Sequence, residues 1–238
     1  VNESPSSLLE NLKDEIDHYL DRNPSAVIPY HNNAHMCSVW DIAQSIWEKE
    51  KVLTTSGSRQ DITVYPEPDA TMTLMLAALF HDFGHSGGVT TDNVNIETAI
   101  EALLEFYKTT TSFLRFKKSN GDIGRQAHVT HLFSVAVRAI RCTEFPFVTP
   151  PEGLLQQVLR DADLLYTAII GKPELVLEDL REEMQVRLGR EISYTEMLEG
   201  QKAFLNNAIL YTETGKQLWS EKAEPFYAAM ESYVSLKS

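Results

Sequence analysis

The chain has 238 residues, 43% of them hydrophobic, which suffices for one core of ordinary size and reads as a single domain over residues 1–238. Lys and Arg number 21 against 34 Asp and Glu, a formal charge of −13 that repels phosphate backbones and argues against a nucleic-acid partner. Cys37 and Cys142, the only cysteines, have no CxxC spacing and so suggest neither a disulfide framework nor a Cys-based zinc site. The apolar run Leu74–Phe80 is too short to cross a bilayer and the N-terminus carries no signal pattern, so no membrane partner and a cytoplasmic location are expected. An acidic protein can still act on a small phosphorylated molecule if bound cations reverse the field locally, which makes metal ligands the feature to look for.

Apolar residues recur at helical spacing almost throughout and no stretch alternates as a half-buried strand would, so the expected class is all-α, a compact multi-helix bundle. Ser7-Leu8-Leu9-Glu10 announces a first helix that Asn23-Pro24 ends. A second is expected over His31–Val52, then a loop over Thr54–Asp69, then a third over Thr71–His85 that is apolar nearly all round and therefore central. Further helices are predicted over Val94–Lys108, Ile123–Arg141, Glu152–Ile170, Pro173–Leu188, Ser193–Tyr211 and Lys216–Val234, with a turn at Ser119-Asn120-Gly121-Asp122. Phe226, Tyr227, Met230 and Val234 form an apolar stripe that fits either a core or a contact between copies, so an oligomer is possible.

His31/His35 and His81/His85 are each four residues apart, and each pair is expected to project from one helical face. Imidazoles supply nitrogen ligands to zinc or iron, while a carboxylate such as Asp82 can touch two cations at once. Asp82 follows directly on the apolar run and would be costly to bury without a metal or hydrogen bonds. Arg160-Asp161-Ala162-Asp163 offers a distant fourth ligand: one of the two aspartates meets the metal and the other bonds to Arg160 or solvent. His128 and His131 remain as possible extra ligands, and Asp92 reads as the cap of the fourth helix.

Tyr30-His31-Asn32-Asn33-Ala34-His35, His81-Asp82-Phe83-Gly84-His85 and Ala162-Asp163-Leu164, in that order, resemble the motifs of the HD-domain metal-dependent phosphohydrolases. The forms Pro-Tyr-His-Asn-x-x-His and HD-x-x-H resemble most the catalytic domain of class I cyclic nucleotide phosphodiesterases, and Gly200-Gln201-Lys202-Ala203-Phe204 is similar to that family's Gln-x-x-Phe segment. The resemblance implies that His35, His81, Asp82 and Asp163 hold a first metal, Zn2+, with Asp82 reaching a second, Mg2+ or Mn2+, which favours Asp163 over Asp161. It implies His31 as general acid for the departing 3′-oxygen, Glu97 orienting His31, His85 beside the second metal's water shell, and Tyr30, Gln201 and Phe204 contacting a small nucleotide substrate. The chain departs from the family where Ser86-Gly87-Gly88-Val89 replaces Pro-Gly and a following Asn, and where Leu165-Tyr166 stands in place of Ser-Asn.

The implied reaction is hydrolysis of a 3′,5′-cyclic nucleotide, or a related cyclic signalling nucleotide, to a linear monophosphate. Three alternatives stay open: a nucleotidase or nucleotide pyrophosphohydrolase on the same metals, a di-iron oxygenase recruiting His128 and His131, and an inactive binding domain.

Overall fold

The structure is a computed structural model and describes residues 5–55, 67, 69–110 and 123–237. The expected turn at Ser119-Asn120-Gly121-Asp122 and most of the expected Thr54–Asp69 loop lie outside them. The described residues form nine α-helices and no strand, as the helical periodicity requires: α1 (Pro5–Leu20), α2 (Asn33–Thr55), α3 (Asp69–Phe80), α4 (Asp92–Thr109), α5 (Ile123–Arg141), α6 (Leu154–Ile170), α7 (Arg181–Leu188), α8 (Tyr194–Asn207) and α9 (Glu213–Lys237). A 3₁₀ turn (Pro24–Val27) precedes α2, and a π-helical stretch (Leu175–Leu180) runs directly into α7. No helix among the described residues is long and apolar enough to cross a membrane.

Helix α3 is central. From Met72 to Phe80 every residue is buried, and the helix packs on α2, α4, α5 and α6, which leaves it no polar face to lose. A second apolar cluster, with Val176, Leu177, Met197, Leu205, Phe226 and Met230, joins α8 and α9 to the π-helical stretch. Phe226 and Met230 are thus core rather than an exposed stripe.

Two departures from the expected boundaries shape everything that follows. Helix α3 stops at Phe80 instead of reaching His85, because the chain turns through His81–Gly84: the Phe83 N–H donates to Phe80 O, and Gly84 takes φ +75°, a left-handed conformation natural to glycine. Helix α2 starts at Asn33, two residues after His31, with the Asn32 side chain accepting the Ala34 and His35 amides as a cap. Neither four-spaced histidine pair therefore lies on one helical face.

Asp161 does not bond to Arg160 or solvent, as one of the sequence alternatives expected. Its fully buried carboxylate accepts from the Tyr211 and Thr212 amides and the Thr212 hydroxyl at 2.7–3.1 Å, tying α6 to the start of α9, while Gly215 lies too close for a side chain. Truncation strands buried N–H donors, so Asp161→Ala should lower unfolding stability in urea by about 2–3 kcal/mol; a loss below about 0.5 kcal/mol would contradict this role.

Candidate metal centre

The turn after α3, the first turn of α2 and the middle of α6 bring four side chains to one point. His35 Nε2 and His81 Nε2 are 3.1 Å apart. Each lies 3.0 Å from Asp82 Oδ2, and they stand 3.4 and 3.5 Å from Asp163 Oδ1. Ligand atoms around an ion with bonds of 2.0–2.1 Å are separated by roughly 3.0–3.4 Å, so His35, His81 and Asp82 already have the mutual spacing of one coordination sphere, and Asp163 stands at about that distance from both imidazoles. Two imidazoles and two carboxylates are also a donor set that suits a borderline divalent ion.

The local chemistry fixes which nitrogen is offered. His81 Nδ1 donates to Ala78 O at 2.7 Å, leaving the Nε2 lone pair directed at the cluster. His35 Nδ1 is buried with no partner among the described residues, so that ring is held by contact instead, between Tyr30 at 5.3 Å and Tyr166 at 4.5 Å. Burial pulls the His81 pKa down, but the Asp82 charge and hydrogen bonds to Asp163 and Asp82 lift it well above the usual histidine range. Burial pushes both carboxylates up; the charges of His81 and His31 for Asp82, and hydrogen bonds from His35 and His81 for Asp163, bring both below the usual range. The site attracts positive charge at one point, and the donor set fits a metal ion.

Beside this cluster the remaining two motif histidines meet each other, with ring centroids 3.9 Å apart. His31 Nδ1 lies 2.5 Å from Glu183 Oε2, while Glu183 Oε1 accepts the Tyr30 and His31 amides at 2.8 and 3.1 Å. Burial raises the Glu183 pKa, yet the hydrogen bond and charge of His31 bring it below normal. For His31, burial lowers the pKa and is outweighed by the charge of Asp82 and the bond to Glu183. An ionised Glu183 makes His31 Nδ1 the donor and leaves Nε2 as the nitrogen free to act. His85 differs: burial first and the His31 charge second push it down to about 4. The Gly87 amide donates to His85 Nδ1 at 3.1 Å, so the neutral ring carries its proton on Nε2.

The expected orienting residue is corrected by the structure. Glu97 sits on α4 in a half-exposed ion pair with Arg141, and the carboxylate on His31 is Glu183. Nothing in the sequence separates Glu183 from its neighbours in Arg181-Glu182-Glu183, a run that reads as a solvated helix face. The π-helical stretch before α7 and Gly88, at φ +90°, both bear on its position: a side-chain carbon at Gly88 would lie 2.2 Å from Glu183 O. His128 is exposed and pairs with Asp69 at 2.9 Å, at the opposite end of the 12-residue α3 from His81, about 18 Å away. His131 is likewise exposed. Asp92 leaves the N-cap to Thr91 and instead accepts from the Phe145 amide at 2.5 Å.

A cavity of about 380 Å³ opens onto Asp82, Asp163, His31 and His85. Tyr30, Gln201 and Phe204 line it too, so the structure gathers around one space every proposed site residue except His35 and His81, which lie beneath it, and Glu97. Comparison with protein-family models, with curated proteins and with solved structures returns no match in any of the three.

Zinc content after purification checks the ligand set. Wild-type protein should retain about one tightly bound equivalent, His81→Ala and Asp163→Ala should lose it, and Asp161→Ala should keep it; retention in Asp163→Ala would remove that residue from the set. Gly88→Ala should displace the Glu183 backbone and lower activity without lowering zinc content, which separates the two halves of the site.

Proposed function

We propose that the chain is a metal-dependent phosphohydrolase of the HD type that hydrolyses a cyclic nucleotide phosphodiester to a linear monophosphate. One observation carries the reading: a histidine held by a buried carboxylate and contributing no atom to the four-residue cluster opens onto the same cavity as that cluster. A purely structural metal site has no use for it.

His35, His81, Asp82 and Asp163 would hold the first ion, and Asp82, which lines the cavity, would reach the second. When bound, such ions supply an activated water at neutral pH and neutralise charge developing on a phosphoryl group. The chain's own residues do the rest. Glu183 fixes the His31 tautomer so that Nε2–H donates a proton to the oxygen that leaves phosphorus, and Glu183 balances the imidazolium before transfer. The neutral His85 offers its Nε2–H as a hydrogen bond without competing for the proton His31 carries. Tyr30 and Tyr166 pack on His35 and exclude water from the cluster's inner side.

The nucleotidase alternative uses the same ions and differs in product, so product analysis separates them. With Mn2+ or Mg2+ added, cyclic AMP or cyclic GMP should be converted to its linear monophosphate, with the rate reduced at least about a thousandfold in Asp82→Ala. Release of inorganic phosphate from nucleoside monophosphates alone would overturn the phosphodiester reading. His31→Ala should lower kcat by roughly 10²–10⁴-fold while zinc stays bound. Because Glu183 raises the His31 pKa, and activity falls as rising pH deprotonates His31, Glu183→Gln should move the alkaline limb of the pH–kcat/KM profile to lower pH. An unmoved limb would show that Glu183 does not set the acid.

A further inference from the structure

The Ser86-Gly87-Gly88-Val89 loop is where the sequence departs from the motif family, and its Gly88 lines the cavity together with Arg187 from the last turn of α7. The two segments are pressed together. A side-chain carbon at Gly88 would lie 2.2 Å from Glu183 O and 3.1 Å from the Arg187 backbone nitrogen, so only a glycine, here at φ +90°, lets the loop come this close to α7. The phosphoryl chemistry proposed above uses neither the Gly88 amide nor the Arg187 guanidinium.

Among the described residues, Arg187 is the one lysine or arginine that lines this cavity. The helix dipole favours a cation in the last turn of a helix, but that does not leave the cation unpaired. Arg181, in the same helix, donates to Leu177 O, Gln185 and Ile192 O, and Arg190 pairs with Glu196. Arg187 makes no side-chain hydrogen bond or ion pair among the described residues. The carboxylates lining the cavity are committed elsewhere: Asp82 and Asp163 to the two imidazoles of the cluster, Glu183 to the His31 ring and two amides, Asp92 to the Phe145 amide. The Gly88 amide likewise has no acceptor among the described residues, although the amides of Gly87, Val89 and Thr90 on either side of it do. The end of α7 is firmly held. The Gly189 amide donates to Gln185 O at 2.9 Å, and Gln185 Oε1 accepts from the Ile192 amide at 2.9 Å. A guanidinium on an anchored backbone has less freedom to lose when a ligand engages it.

We propose that Arg187, with the Gly88 amide, binds a second phosphate of the substrate, so that the site suits a nucleotide carrying one phosphate beyond the one attacked. A planar guanidinium matches phosphate oxygens as a two-pronged fork, and a backbone N–H adds a further charge-assisted bond. Arg187 stands one helical turn, about 6 Å, along α7 from Glu183, whose carboxylate holds His31. A phosphate bound there is distinct from the one whose leaving oxygen His31 protonates. The proposal rests on the phosphohydrolase reading only for placing the first phosphate at the histidine–carboxylate cluster.

Binding without turnover tests it. Calorimetry on zinc- and magnesium-loaded protein would compare adenosine 5′-monophosphate with two ligands that carry a second phosphate: adenosine 3′,5′-bisphosphate, and a 5′-phosphorylated adenosine dinucleotide with a hydrolysis-resistant phosphorothioate linkage. Wild type would be set beside Arg187→Gln, a change at an exposed position that removes the charge. At least one two-phosphate ligand should bind about tenfold or more tightly than the monophosphate, and Arg187→Gln should cut that preference about fivefold or more while monophosphate binding changes less than about twofold. Equal binding of all three by wild type, no binding of any, a preference that survives Arg187→Gln, or an equal loss for the monophosphate would overturn the proposal. A preference lost in Arg187→Gln, in a protein that hydrolyses no cyclic nucleotide, would sink the proposed function and leave this inference standing; hydrolysis of cyclic AMP without such a preference would do the reverse.

Discussion

Two imidazoles each within 3.5 Å of two carboxylates inside an apolar bundle are expensive to desolvate, and the rest of the molecule is organised around that expense. The four groups stabilise one another only if positive charge sits among them, which is why His81 titrates far above and Asp82 far below their usual ranges. Apolar helices α2, α3 and α6 pack together so that their polar residues can meet at one point. The buried Leu74–Phe80 run leads directly into His81, and apolar surroundings strengthen the attraction of a cation for carboxylates.

The ligands come mainly from helix ends and turns rather than from helix faces, and a network of side-chain amides holds those turns. Asn23 Oδ1 accepts from the Ser25 amide and hydroxyl and from the Gly84 amide, tying the turn before α2 to the turn after α3. Asn23 Nδ2 donates to Asn33, and Asn33 donates to Leu20 O at the end of α1. The turns that carry His31 before α2 and His81 and His85 after α3 are thereby fixed relative to each other without relying on helix packing. Glu183 joins them from α7 by accepting the Tyr30 and His31 amides as well as the His31 ring.

Much of this was legible in the sequence, for identifiable reasons. Helical periodicity is a local property, so the all-α class and the central position of the Leu74–Phe80 segment follow from the residues alone. The convergence of His35, His81, Asp82 and Asp163 matches the spaced motif because its members are chemically distinctive against an apolar background. What escaped is what depends on turns and long-range partners. The four-residue spacing suggests helical pairs, whereas the helices break beside both motifs and the histidines re-pair across the chain, His35 with His81 and His31 with His85. Glu97 and Glu183 are indistinguishable by type, and only the three-dimensional path of the π-helical stretch and α7 decides between them. Phe145 and Phe147 flank Pro146 in a segment that carries no recognisable pattern.

Whether these four side chains, and no cysteine, hold a metal ion can be read from X-ray absorption at the zinc edge of the zinc-loaded protein. The expected spectrum has a shell of nitrogen and oxygen neighbours at about 2.0–2.1 Å with the multiple-scattering signature of two imidazoles. A sulfur neighbour near 2.3 Å, or a spectrum of hydrated zinc without imidazole, would contradict it.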